Sequence, residues 1–272
     1  MLQIYWNINP EIFRIGRFAL RYYSVMFSLA FYFSYLILSN IYTKENVPIL
    51  FLNKLTIYVF IGTLIGARLG QVLFYEFGYF KNHLLEIFLP FTINPNGNFE
   101  WTGYQGLASH GGALGILIAL IFYCKKYKQS FLWVIDHLVI VVALSGFLIR
   151  IGNLFNSEII GKPANVPWAF IFEKIDFIPR HPTQLYEAIC YLIIFFLLWN
   201  IYKKRETRLK RGFLFGLFLV LVFSVRFIIE FLKENQETFE SSLLINMGQI
   251  LSIPFILIGL YFIFRRSISK IK

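Results

Sequence analysis

Apolar and polar positions fall in long alternating blocks along this chain. Seven runs rich in Leu, Ile, Val and Phe lie at about 19–40, 52–76, 107–124, 131–150, 185–202, 212–232 and 244–264. Each is near the roughly 20 residues that a helix needs to cross a bilayer, so each is predicted to be a transmembrane helix. Between them lie short basic connections at 41–51, 125–130 and 203–211, and longer polar segments at 77–106, 151–184 and 233–243. Asn94, Pro95, Asn96, Gly97 and Asn98 mark turns in the first long segment. The second holds Pro163, Pro167, Pro179 and Pro182 and an apolar patch, 166–172, which suits either a strand or a stretch resting on the bilayer. Residues 1–18, broken at Pro10, read as an amphipathic arm at the membrane interface. No internal repeat is evident, which weighs against an inverted-repeat transporter.

Composition agrees with the pattern. Only 15% of the residues are charged and mean hydropathy is +0.62, whereas soluble domains carry about 25% charged residues. The net charge of +11 would by itself suggest nucleic acid. Its basic residues, however, sit in short clusters between apolar runs, where they set membrane orientation, and no nucleic-acid partner is expected. Placing the N-terminus outside makes the connections 41–51, 125–130 and 203–211 and the tail 265–272 cytoplasmic, and these with their flanks hold most of the 26 lysines and arginines. The expected fold is an all-α integral membrane protein in a single polytopic domain over 1–272. It has about seven transmembrane helices, an external N-terminus, a cytoplasmic C-terminus and a small extracytoplasmic head from loops 77–106 and 151–184. Residues 1–18 lack the basic start, apolar core and small-residue exit of a cleavable signal peptide. Cys124 and Cys190 fall on or beside apolar runs, with no spacing that suggests a metal or a disulfide.

Chemistry concentrates where apolar runs end. R-I-G-N-L-F-N-S-E-I-I-G, residues 150–161, follows a bilayer-length run. Its arginine, asparagines, serine, glutamate and glycines therefore gather near the edge of the hydrocarbon, a setting suited to an anionic headgroup. Charges at membrane depth are costly, on the order of 2.5–3.5 kcal/mol at a helix centre, yet Arg68, Arg150 and Arg226 all lie at or near it. Guanidinium groups can grip a phosphate in two-pronged fashion. Arg226 and Glu230, four apart on one helix face, equally suit an internal ion pair. In G-L-A-S-H-G-G-A-L-G, residues 106–115, His110 precedes Gly111 and Gly112. Glycines at a helix start permit close approach of an anionic ligand, but they also serve close helix packing. Tyr23 suits either the site or an interfacial aromatic belt. His83 and His137 read as structural or surface residues, and no histidine pair has metal-ligand spacing on one helix.

Five segments in this order resemble the bacterial prolipoprotein diacylglyceryl transferases: G-L-A-S-H-G-G (106–112), R-I-G-N-L-F-N-S-E-I-I-G (150–161), R-H-P-T-Q-L-Y-E (180–187), R-F-I-I-E-F (226–231) and M-G-Q-I-L-S-I-P (247–254). The resemblance covers most of the chain. It implies transfer of a diacylglyceryl group from phosphatidylglycerol to the lipobox cysteine thiol of a prolipoprotein signal peptide. A thioether forms and glycerol-1-phosphate leaves, without metal or soluble cofactor. It further implies a bacterial cytoplasmic (inner) membrane location with the active site towards the extracytoplasmic face. By the same resemblance, His110, Arg150, Arg226, Tyr23 and Glu230 are the expected catalytic residues. Arg150, Asn153, Glu158, Gly161, Arg226, Gly111 and Gly112 are expected to bind phosphatidylglycerol. Ser109, Gln71 and Lys233 depart from residues common in the family at those places. A free thiol is only a few per cent ionised at neutral pH, and His110 is the residue type best suited to take its proton. A transporter would instead show solute flux, and a non-catalytic lipid-binding scaffold would bind phosphatidylglycerol without turnover.

Overall fold

The computed structural model describes residues 3–16, 18–89, 91–93, 99–101, 106, 108–205, 210–234 and 245–265. Among the described residues, six helices are long and apolar enough to cross a membrane: α1 (Tyr22–Lys44), α2 (Ile49–Phe74), α5 (Phe131–Phe155), α6 (Thr183–Arg205), α7 (Phe213–Ile229, continued by a 3₁₀ turn, Glu230–Leu232) and α8 (Met247–Phe264). Short α3 (Phe77–Phe80) follows α2. The third expected span forms helix α4 (Ser109–Tyr127), which is not among the six. Its Ser-His-Gly-Gly start and Lys-Lys-Tyr end leave only a short apolar middle. The helical class expected from sequence therefore holds. The chain divides into two compact units, residues 1–41 with 132–272 and residues 42–131.

In the first unit, the stretch read as an amphipathic arm forms strands. These are β1 (Ile4–Trp6), β2 (Glu11–Ile15) and β3 (Phe18–Arg21), the last running directly into α1. β2 and β3 pair as a hairpin turning at Gly16, whose φ of 58° favours glycine. β1 pairs in parallel with β6 (Phe170–Phe172), which pairs antiparallel with β7 (Pro179–Arg180). The end of the apolar patch, 170–172, is thus a buried central strand, while Trp168 before it is exposed. Its Phe170 and Phe172 form a core with Leu154 at the end of α5, against Trp6, Ile160 and Leu185. The Trp6 indole N–H donates to the Leu154 carbonyl at 3.0 Å. These contacts fasten the chain on both sides of the 156–161 segment.

The membrane helices of this unit meet through small residues and tertiary caps. A Cβ on Gly216 of α7 would lie 2.7 Å from the Gly259 carbonyl of α8, so the two backbones approach closely. Asp136, buried in α5, accepts from the amides of Gly212 at 2.5 Å and Phe215 at 2.9 Å. A side chain from another helix thereby satisfies the orphan donors of the α7 N-terminus. Asn246 and Gln249 close a capping box at the start of α8.

In the second unit, α2 and α4 pack along a glycine seam. A Cβ on Gly111 would lie 2.7 Å from the Gly70 Cα, and one on Gly115 would lie 2.8 Å from the Gly66 Cα. Gly62, Gly66 and Gly70 on α2 thus face Gly111 and Gly115 on α4 at a spacing of four. After α3, the Arg68 guanidinium donates to the carbonyls of Ile87 at 2.8 Å and Glu86 at 2.9 Å and lies over the Phe80 ring. Strands β4 (Phe91–Ile93) and β5 (Phe99–Trp101) pair antiparallel beyond it. The turn residues Asn94 to Asn98 lie outside the described residues.

Candidate functional site: a buried charge chain at the helix ends

Arg150 and Asn153 stand three apart on the last turns of α5, so they share a face. Arg150 Nη1 donates to Asn153 Oδ1 at 3.1 Å, and Asn153 Nδ2 donates to Glu158 Oε2 at 3.1 Å. Asn156 Nδ2 donates to the other Glu158 oxygen at 3.0 Å. Two neutral amides therefore hold the carboxylate, and Glu158 itself stays exposed. Ser157 and Ile159 flank it at φ of 56° and 57°, a region that a β-branched residue enters only when its surroundings force it there. The N-terminus of α6 supplies that force. Thr183 Oγ1 donates to the Ile159 carbonyl at 2.8 Å, and Gln184 Nε2 donates to the Glu158 carbonyl at 2.6 Å.

Behind this turn lies a chain of alternating charges. Arg150 Nε sits 2.7 Å from Glu187 Oε2 of α6, a close ion pair outside hydrogen-bond alignment. The other Glu187 oxygen accepts from Lys233 Nζ at 3.0 Å, and the same ammonium donates to Glu230 Oε2 at 2.9 Å. The Glu187 side chain is 0% exposed and that of Lys233 2%. Removing a partner from so buried a pair costs about 3–5 kcal/mol, because a bare charge is left behind. Gly248 of α8 makes room for the Glu230 carboxylate, since a Cβ there would lie 2.5 Å from its Cδ. Lys233 is held by the backbone as well: Gly161 bridges to it, and the Lys162 amide donates to the Leu232 carbonyl at 2.8 Å.

Arg226, partly buried on α7, is placed differently. Among the described residues, no carboxylate lies within ion-pairing distance of it, although Glu187 and Tyr191 are close enough to interact electrostatically. The internal Arg226–Glu230 pair suggested by spacing does not form, because Glu230 turns to Lys233. Tyr23 of α1 lies within electrostatic reach of Glu158 and Arg150. Its ring rests on Gly152, where a Cβ would come 2.8 Å from Cδ2. The glycine between Arg150 and Asn153 is thus explained by the tyrosine it admits.

The sequence-derived candidates separate. Tyr23, Arg150, Asn153, Glu158, Arg226 and Glu230 belong to the first unit and to this polar region. Gly161 is buried there, donates its amide to the His181 carbonyl at 3.0 Å, and is crowded by His181 and Thr183. Its backbone role is packing. His110, Gly111 and Gly112 belong to the second unit. Exposed His110 has the rings of Phe74 and Tyr75 at 5.3 and 5.7 Å. Gly111 is pressed into the α2 seam, whereas Gly112 has only ordinary contact with Ala67 at 3.6 Å. Glu187, Lys233, Asn246 and Gly248 were not among the candidates. Glu187 did carry a signal: it is a carboxylate just inside an apolar run, as costly there as the arginines.

Outside the spans, Arg180 ties the connection together. It pairs with Asp176 at 2.6 Å and with Glu234, and its Nη1 donates to the Gly161 carbonyl at 3.2 Å. The guanidinium holds the Asp176 carboxyl below the usual carboxylate range.

Helices fit to cross a membrane, with a charge chain and an amide-held carboxylate at their ends, define a multi-pass membrane protein with a built polar site. Residues 10–265 match the family model for prolipoprotein diacylglyceryl transferase. Over 264 residues the chain is 47% identical to the phosphatidylglycerol–prolipoprotein diacylglyceryl transferase of Bacteroides fragilis, covering 97% of this chain and 95% of that protein. The proteins of the same name from Tolumonas auensis and Chloroherpeton thalassium are each 43% identical, covering 94% and 96% of this chain and 95% and 94% of theirs. The chain belongs to the prolipoprotein diacylglyceryl transferase family and is a transferase.

Proposed function

We propose that the protein moves the diacylglyceryl group of phosphatidylglycerol onto the lipobox cysteine thiol of a prolipoprotein signal peptide. Sulfur attacks the glycerol carbon, a C–S bond forms, and the C–O bond to phosphate breaks. The products are a thioether and glycerol-1-phosphate, with the thiol proton passing to a base. Besides the family membership, one observation carries this reading to the site. Arg226 lacks a carboxylate partner among the described residues, while Arg150 and Lys233 have theirs. A cation so placed suits a phosphate whose charge grows as the bond breaks. In this reading Arg150 adds its positive charge, and Asn153, Glu158 and Tyr23 orient the headgroup. For His110 we assign acceptance of the thiol proton.

In the same reading α4 is a seventh crossing, the protein lies in the bacterial cytoplasmic membrane, and the 151–184 connection faces outward. The Lys/Arg distribution supports that orientation. The test is purified protein with acyl-labelled phosphatidylglycerol and a lipobox peptide. Label should reach the peptide and not its Cys→Ser counterpart; equal labelling of both would sink the proposal.

A further inference from the structure

We infer that Glu187, acting with Lys233, is a positioning residue for transfer: it touches no substrate but fixes the place at which Arg150 presents its guanidinium. Glu187 is fully buried, so its charge is retained only because both oxygens are engaged. It holds Arg150 by Nε, the nitrogen nearest the aliphatic stem, and Asn153 takes Nη1. The ion pair holds the guanidinium in place, and the hydrogen bond to Asn153 gives the fork its direction. Lys233 engages the second Glu187 oxygen and also Glu230, giving a chain Arg150–Glu187–Lys233–Glu230 in which positive and negative charges alternate and cancel. Its members come from α5, α6 and the turn that directly follows α7, and Glu230 is seated on Gly248 of α8. The position of one arginine is therefore referred to four helices.

The neutrality of the chain also matters to Arg226. Without Lys233, Glu230 would lose its cation and Glu187 would keep Arg150 alone, and Arg226 is within electrostatic reach of Glu187. Lys233 thus keeps Arg226 from being drawn into an internal pair. This inference rests on the proposed phosphate role of Arg150 and Arg226, and its test separates the two.

Turnover with phosphatidylglycerol and a lipobox peptide is measured for Glu187→Gln, Arg150→Gln and the double variant, per folded molecule in detergent. A misplacement of about 1 Å at a reacting group can cost on the order of 100-fold in rate. Glu187→Gln should lower kcat by roughly that factor with little change in the KM for phosphatidylglycerol. It should add less than about threefold to Arg150→Gln, because both act through one guanidinium. Lys233→Arg, which can still bridge both carboxylates, should keep turnover within about threefold. Should Glu187→Gln fail to accumulate, Glu187→Asp keeps the charge but cannot span both cations, and its kcat should fall at least about tenfold. Wild-type kcat in the Glu187 variant that folds, or effects that multiply with Arg150→Gln, would overturn the inference. Undiminished turnover in Arg150→Gln would instead overturn the reading on which it rests.

Discussion

Glu230 gives its carboxylate to Lys233, three residues on, at 2.9 Å, and not to Arg226, four residues back. That choice separates a cation used for stability from one left for chemistry. Arg226→Gln should therefore keep thermal stability within about 1 kcal/mol, since Arg226 has no ion-pair partner among the described residues, while turnover falls by about 10²–10³. Lys233→Met should cost about 3–5 kcal/mol by stranding the buried Glu230 carboxylate. Thermal unfolding of both variants in detergent, alongside initial rates, checks the contrast. Equal destabilisation would mean that Arg226 is structural.

The glycine pair near the start of α4 gives a second contrast. Gly111→Ala would drive a methyl group against the Gly70 backbone, 2.7 Å away, whereas Gly112→Ala would meet only the Ala67 side chain at 3.6 Å. Overpacking of the first kind costs about 1–3 kcal/mol. The first variant should melt earlier, and the second should match the parent in stability. If Gly112→Ala nonetheless loses turnover, the ligand-approach reading survives at that glycine.

The same contrast shows what can be read from the chain and what cannot. A run of apolar residues at 131–150 signals a span because hydrocarbon demands it locally, and α5 spans Phe131–Phe155. The gathering of polar side chains at 150–161 was likewise legible, because charges at the end of such a run need partners, and Arg150, Asn153 and Glu158 do join. Strand β1 was not, since its partner Phe170–Phe172 lies far along the chain and short strands leave weak local patterns. The Arg226–Glu230 pair had helical spacing in its favour, but Lys233 outcompeted it through a 3₁₀ turn at Glu230–Leu232. Gly111 was ambiguous in principle: the missing Cβ that admits a ligand also admits a neighbouring helix.

Acid should loosen the connection between α5 and α6. Arg180 depresses the Asp176 pKa, so this carboxylate contributes stability that is complete above its unfolded value, about 3.9. The contribution is lost as pH falls below that value through the lower folded one. Asp176→Asn should melt earlier than the parent at neutral pH, and the difference should shrink below about pH 4. Melting curves of both proteins across that range show whether it does. A constant difference would exclude the linkage.

His110→Asn should lose most turnover while folding normally. If His110 accepts the thiol proton, alkaline solution should partly restore the rate by supplying thiolate as the pH approaches the thiol pKa, about 8.5. A rate profile between neutral and alkaline pH distinguishes this from a positioning role, for which the loss would be the same throughout.

The bond that breaks tests the central claim most directly. Phosphatidylglycerol labelled in its phosphate, incubated with purified protein and a lipobox peptide, should release one labelled glycerol phosphate for each peptide modified. The modified cysteine should resist hydroxylamine, as a thioether does. A hydroxylamine-labile product with the phosphate still on the lipid would show acyl transfer at the ester carbonyl, and would contradict displacement at the glycerol carbon.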